Sequence, residues 1–402
     1  MCLFSFGPGR PARLALRSWR YGVRAEYAAP LGAAARVAFG LDADGTASEV
    51  ERAGSPSRPA REGDRDVFGE PPGDAYDVDA YRTHQLGVAP FATLDLTLGR
   101  LRLSPALRFD TYLLETDRPR PALGRAPPVG DSSLVAAPEP CLALRYAVSG
   151  ALEVFASGGR YHQAPAPEDL SATFGNPRLG LASASHLSVG ERLSLGEGWQ
   201  LEANGFVKWL DGIAARSPLA APPTARSLEA RGAGRAYGAS WLLRRRSAGG
   251  WFGWLSATLS RSERRDDPAL AARLSDYDQP VVAAASLGRE LGAWTLGARL
   301  RYASGAPRTP VVGAFGDLRS GRWQPLFGAT NSSRLPAFAE LDLRVDRAFT
   351  LGAGAALRLY LDVLNVTARA NAEEVVYASD FRSRAYFTGL PTLAVIGAEF
   401  ER

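Results

Sequence analysis

Apolar and polar residues alternate with a period of two along most of this chain. From Trp199 to Trp209, one side holds Trp199, Leu201, Ala203, Gly205, Val207 and Trp209. The other holds Gln200, Glu202, Asn204, Phe206 and Lys208. Further on, Trp294, Leu296, Ala298, Leu300 and Tyr302 stand against Thr295, Gly297, Arg299 and Arg301. Ala339, Leu341, Leu343 and Val345 oppose Glu340, Asp342 and Arg344; Leu357, Leu359, Leu361 and Val363 oppose Arg358, Tyr360 and Asp362. Successive side chains of a β-strand point to opposite faces, so this period predicts strands.

About fifteen such runs are legible. They lie near 13–27, 33–43, 84–98, 101–113, 140–148, 150–161, 184–195, 199–211, 235–246, 251–262, 280–290, 292–303, 338–349, 355–366 and 390–400. Their connections are alternately short and long. The long ones fall at 44–83, 114–139, 164–183, 212–234, 263–279, 304–337 and 367–389. Tight Gly-rich turns such as Gly196-Glu197-Gly198 and Ser247-Ala248-Gly249-Gly250 fall between them. A soluble sandwich has no reason to segregate its connections by length. A membrane barrel does, with short turns at its periplasmic rim and long loops outside. The expected fold class is therefore all-β, an antiparallel transmembrane β-barrel of about fifteen strands. A soluble β-sandwich would show similar alternation and is the structural alternative.

Composition is compatible with that fold. The apolar fraction is 46% and the mean hydropathy is −0.13. No stretch approaches the roughly 20 apolar residues of a spanning helix, whereas barrel strands keep mean hydropathy moderate by alternating lipid-facing and lumen-facing residues. Aromatics bracket the apolar faces: Trp199 and Trp209 on one strand, Trp294 and Tyr302 on another, with Trp251 opening a third. Such rings are expected at the membrane–water interfaces. The charged residues number 47 basic and 42 acidic, a net +5, and Lys208 is the only lysine. The arginines are scattered and form no basic helix or stripe, so no nucleic-acid partner is expected.

Little in the sequence points to catalysis or to a cofactor. Cys2 and Cys141 make no disulfide framework, and His84, His162 and His186 are too dispersed to suggest a metal site. Gly352-Ala353-Gly354 reads as a turn, and no phosphate-cradling Gly-rich motif is present. Candidate ligand-binding residues belong at strand tops and in long loops. Tyr161 and Gln163 share a face beside a long loop. Arg319, Arg322, Trp323 and Gln324 lie in another long loop and could hold an anionic or polyhydroxyl ligand through charge-assisted bonds.

Several strings resemble one known family. Tyr161-His-Gln-Ala-Pro165 followed by Gly175-Asn-Pro-Arg-Leu179 is similar to a signature of TonB-dependent outer-membrane receptors. Ser304-Gly-Ala-Pro-Arg-Thr-Pro310, the run Arg334–Arg344, Leu361-Asp-Val-Leu-Asn-Val366 and Gly389-Leu-Pro391 resemble that family's last loops and strands. The resemblance implies a wall of a nominal 22-stranded barrel, with outer-membrane lipid and the barrel-assembly machinery as partners. It implies energised uptake of a scarce large solute: a siderophore, a cobalamin or an oligosaccharide. A passive porin-like channel or an outer-membrane scaffold is the functional alternative. Neither the family's plug domain nor a signal peptide is recognisable, so residues 1–402 read as a partial receptor barrel. A TonB-type energy transducer is then expected as a partner only if the missing N-terminal region is supplied.

Overall fold

A computed structural model describes residues 13–53, 61–65, 67, 79–117, 130–219, 222, 225–318, 321–352 and 355–401. Cys2, Arg319 and Gly354 lie outside the described residues. The main strands are β1 (Arg13–Pro30), β2 (Ala35–Ala53), β3 (Asp79–Leu98), β4 (Leu101–Asp117), β5 (Asp131–Ala147), β6 (Leu152–Gln163), β7 (Ala182–Gly196) and β8 (Trp199–Arg216). They continue as β9 (Leu228–Ala248), β10 (Trp251–Arg265), β11 (Val281–Leu291), β12 (Trp294–Ala303), β13 (Phe338–Leu351), β14 (Ala355–Leu364) and β15 (Leu393–Glu401).

These strands follow one another in sequence order through a single antiparallel sheet. The two-residue strand Arg273–Leu274 pairs with the loop end of β10 to complete a sixteen-stranded sheet. Every hairpin at one rim closes through a short turn, and every connection at the other rim is long, as the spacing predicts. Gly196, Gly198, Gly249, Gly250 and Gly292 take positive φ at the short-turn rim, a conformation that residues with a Cβ adopt only under strain.

The strands reach further toward the long-loop rim than the periodicity suggests. β2 continues through 44–53, β5 begins at Asp131 rather than Pro140, and β9 begins at Leu228 rather than Arg235. Above a lipid band both faces of a strand are wet, so the apolar alternation fades while the hydrogen-bond ladder continues. The long loops are correspondingly shorter than expected. Two of them carry their own hairpins, Val311–Asp317 with Arg322–Phe327 and Ala372–Tyr377 with Arg384–Thr388.

Register joins the separate alternations into two continuous faces. Leu296 pairs with Val345, Val345 with Leu361 and Leu361 with Ile396. One position along, Arg299 pairs with Asp342, and Arg344 with Asp362. Directly paired residues lie on the same face, so one face is apolar and the other polar right across the sheet.

The apolar face is bare. Trp19, Val23, Leu134, Val189, Leu255, Leu300, Leu361 and Ile396 are all exposed along it. Among the described residues the buried apolar cluster is small, Leu170 and Leu179 of the loop after β6 against Leu228 at the start of β9. An apolar band of this extent has no place in water. On β9 it runs through Tyr237, Ala239, Trp241 and Leu243, bounded by Arg235 opposite Trp209 and by Arg245 opposite Trp199. From Trp199 to Trp209, at ~3.3 Å per residue and a tilt of ~40°, the band spans ~25 Å, the height of a membrane barrel's apolar belt.

The polar face is the concave one. The loop after β6 crosses over β5 and β4 on that side to reach β3: Gln85 Nε2 donates to Pro165 O (2.8 Å) and Tyr81 Oη to Pro167 O (3.0 Å). Its charges are paired across strands. Arg299 Nε and Nη2 donate to Asp342 Oδ2 at 2.9 and 2.8 Å, and Arg344 Nη1 reaches Asp362 Oδ2 at 2.8 Å. Asp342 also accepts the Asn365 backbone N–H (2.9 Å). No described helix is long and apolar enough to cross a membrane; the elements of spanning length are strands.

Candidate functional site at the loop-side mouth

Five residues of the first long loop, Arg61–Arg65, form a strap across the mouth of the concave face. Each contacts a partner distant in sequence. Arg61 pairs with Asp169 in the loop after β6, and its Nη2 donates to Ala214 O of β8 (3.1 Å). Asp64 accepts from Arg216 Nε (2.6 Å) at the top of β8. Glu62 Oε2 accepts from Arg264 Nε of β10 (3.2 Å), and its backbone carbonyl from Arg273 Nη2 (3.1 Å). The Gly63 N–H donates to the Asp276 carboxylate (3.0 Å), and Arg65 Nε to Thr330 Oγ1 (3.3 Å). The strap thereby ties the loops after β6, β10 and β12 to the tops of β8 and β10.

Gly63 is required there twice over. Its φ is +86°, and a Cβ would lie within 2.2–2.7 Å of the Arg273 guanidinium. Arg273 is the hub. Its side chain is only 10% exposed, and it donates to Asp266 through Nε (2.7 Å) and Nη2 (2.8 Å). Burial works to lower its pKa, but Asp266, Glu62 and Asp276 outweigh that and raise it above arginine's ordinary value. It stays cationic. Asp276 is shared in turn with Asn331 Nδ2 (2.6 Å).

Beneath the strap lies a cavity of about 260 Å³, lined among others by Arg61, Glu62, Ala214, Arg264, Asp266 and Arg273. Three of those side chains are guanidiniums, each presenting planar N–H donors suited to carboxylate or phosphate oxygens. In this structure the strap's and loops' own carboxylates take those donors.

The residues singled out from sequence lie elsewhere on the same mouth. Tyr161 and Gln163 face the lumen at the top of β6, and the Tyr161 ring packs on His186 at 5.0 Å. Arg322, Trp323 and Gln324 form one strand of the hairpin in the loop after β12, where Arg382 lies 5.8 Å over Trp323. The two groups stand on separate elements. Register puts Trp199, Trp209, Trp251, Trp294 and Tyr302 all on the apolar face. Local sequence does not reveal the strap. A five-residue stretch of Arg, Glu, Gly and Asp carries no periodicity, and its partners lie 108–265 residues away. Among the described residues no group of three or more His, Cys, Asp or Glu is arranged to hold a metal ion.

The family profile described as TonB dependent receptor-like, beta-barrel, matches residues 6–366. The chain belongs to this family. Solved structures agree on the fold. The ferric citrate transporter FecA in its unliganded form aligns with a TM-score of 0.69 at 15% identity, over 99% of this chain and 57% of that one. The ferric yersiniabactin uptake receptor FyuA from Yersinia pestis aligns at 0.61 and 15% identity, over 97% and 54%. The copper transporter OprC aligns at 0.65 and 15% identity, over 97% and 57%. The chain thus spans little more than half the length of these receptors. No curated protein sequence matches it significantly. Membership of this family places the strands in the outer membrane, with the bare apolar face toward lipid and the polar face toward the lumen.

Proposed function

We propose that this receptor-like barrel wall serves energised import of a large anionic solute, captured at the strapped mouth. The observation that carries the reading is the set of Arg61, Arg264 and Arg273 around one cavity on the lumen face. Guanidinium donors at a pore mouth favour carboxylate-rich or phosphate-bearing ligands, among them ferric chelates, over neutral ones. A neutral corrinoid or oligosaccharide uses the site less well. The incoming anion exchanges with Glu62 and Asp64, which frees the strap and opens the lumen. Tyr161, Gln163, Arg322, Trp323 and Gln324 are secondary contacts around the rim. The role is transport, not catalysis. Its partners are lipid, the barrel-assembly machinery and an inner-membrane energy transducer acting through a lumen-filling domain.

The test is a binding titration on the refolded chain in detergent, with ferric citrate as the anionic probe and vitamin B12 as the neutral one. The reading expects ferric citrate to bind in preference, and the Arg264→Gln and Arg273→Gln variants each to weaken it about tenfold, the worth of one charge-assisted hydrogen bond. Equal binding of both probes, or unchanged affinity in both variants, overturns it. A passive channel would instead conduct both solutes with no dependence on an energy source.

A further inference from the structure

A second arginine arrangement lies on the opposite face, at the opposite rim. β8, β10 and β12 each begin with a tryptophan directly after a short turn: Trp199, Trp251 and Trp294. In each case the residue directly opposite on the next strand is an arginine. Trp199 pairs with Arg245 of β9, Trp251 with Arg289 of β11, and Trp294 with Arg347 of β13. Each guanidinium lies over its partner ring, at 5.3, 4.7 and 4.9 Å from the centroid, and Arg347 also covers Phe349 at 4.8 Å.

The three stations repeat one geometry around the barrel wall. All face outward: Arg289 pairs with Leu296, and Arg347 with Leu359, both on the apolar face. Arg289 and Arg347 are exposed, and among the described residues neither meets a carboxylate. The loop-side edge of the same apolar band is built differently. There Arg235 and Arg261 both close on Glu263 (2.8 and 2.7 Å). The upper arginines carry their counter-ion within the sheet, whereas Arg289 and Arg347 require one from outside.

We infer that the Arg289 and Arg347 stations bind the phosphodiester headgroups of anionic phospholipids in the periplasmic leaflet. The Arg289 and Arg347 guanidiniums, lying on their indoles, present a planar N–H edge to a phosphate oxygen pair. Stacking fixes the side chain beforehand, so little rotamer freedom is lost on binding. The indole sits where tryptophan is favoured, at headgroup level, with the acyl chains against Leu243, Leu296 and Val345 above it. Short turns mark this rim as periplasmic. A positive charge at such a surface favours anionic lipid about fivefold per arginine.

The refolded full chain in nonionic micelles is titrated with phosphatidylglycerol or phosphatidylcholine carrying brominated acyl chains, and tryptophan emission is followed. Half-quenching is expected at an about fivefold lower concentration of the anionic lipid, and this preference should shrink as salt rises from ~0.05 to ~0.5 M. The double variant Arg289→Gln/Arg347→Gln should lose the preference while keeping overall quenching. Arg289→Lys/Arg347→Lys, with charge but no planar fork, should keep part of it. Arg102→Gln, on the lumen face, should leave it unchanged. Equal quenching by both lipids, a preference insensitive to salt, or a preference that survives in the glutamine variant overturns the inference. If the glutamine variant does not refold, the salt series on the unaltered chain decides.

Discussion

Leu300 and its neighbour Arg299 show how one position along a strand separates two solvents. Leu300 is 47% exposed on the apolar face, while Arg299 turns inward to Asp342, itself 5% exposed. Leu300→Arg would place a guanidinium in the hydrocarbon, at a cost of about 2–4 kcal/mol near the midplane. Equilibrium refolding into lipid vesicles should show that loss, whereas Leu300→Ile should refold nearly as well as the unaltered chain. Asp342→Ala removes the acceptor of both Arg299 and the Asn365 N–H. Because Arg299 remains half exposed, the expected loss is modest, about 1–3 kcal/mol in the same assay. Gly63→Ala combines a strained φ with a clash against Arg273. It should release the strap without altering the sheet, visible as faster amide hydrogen exchange at Glu62 and Asp64 with unchanged protection in β8 and β10.

At the scale of elements, the strap is the least secure piece of regular contact and the most telling. Polar and charged bonds hold it to three loops and the tops of β8 and β10, and it has little apolar burial of its own. Arg273→Gln removes its hub, and exchange across Arg61–Arg65 should rise about tenfold, equivalent to one charge-assisted bond. Uniform exchange in variant and unaltered chain alike would mean that the strap is held by other contacts. The strands themselves were legible in the sequence wherever one face meets lipid. The membrane-level part of all fifteen emerges from period-two alternation, because apolar side chains such as Leu296, Leu341 and Leu359 have only one face to occupy. The extensions through 44–53 and 228–234 were not legible, since both of their faces are wet. Nor was the strap, nor the pairing of Trp199, Trp251 and Trp294 with Arg245, Arg289 and Arg347. Both depend on which distant residues are brought opposite, and register is invisible to local alternation. Tyr161, Gln163, Arg322, Trp323 and Gln324 lie at the loop-side rim, apart from the arginine cavity.

For the whole molecule, β1 and β15 are the ends of the described sheet, and no pairing joins them. Both run toward the short-turn rim, so they could meet only in parallel. Their bare N–H and C=O groups would cost several kcal/mol each in hydrocarbon. The 402-residue chain alone should therefore insert poorly or leak, measured as release of a trapped dye from vesicles, and should not restore energised uptake to a receptor-deficient strain. Tight vesicles together with energy-dependent uptake by this chain alone would contradict that. Everything else rests on which face meets lipid and which meets the lumen. The most direct test is a nitroxide scan of residues 295–301 in the refolded chain in lipid, recording collision with oxygen and with a water-soluble nickel chelate. Oxygen collision should peak at positions 296, 298 and 300, and nickel collision at 295, 299 and 301. The opposite phase, or no period of two, would contradict a barrel wall with a lipid face and a lumen face.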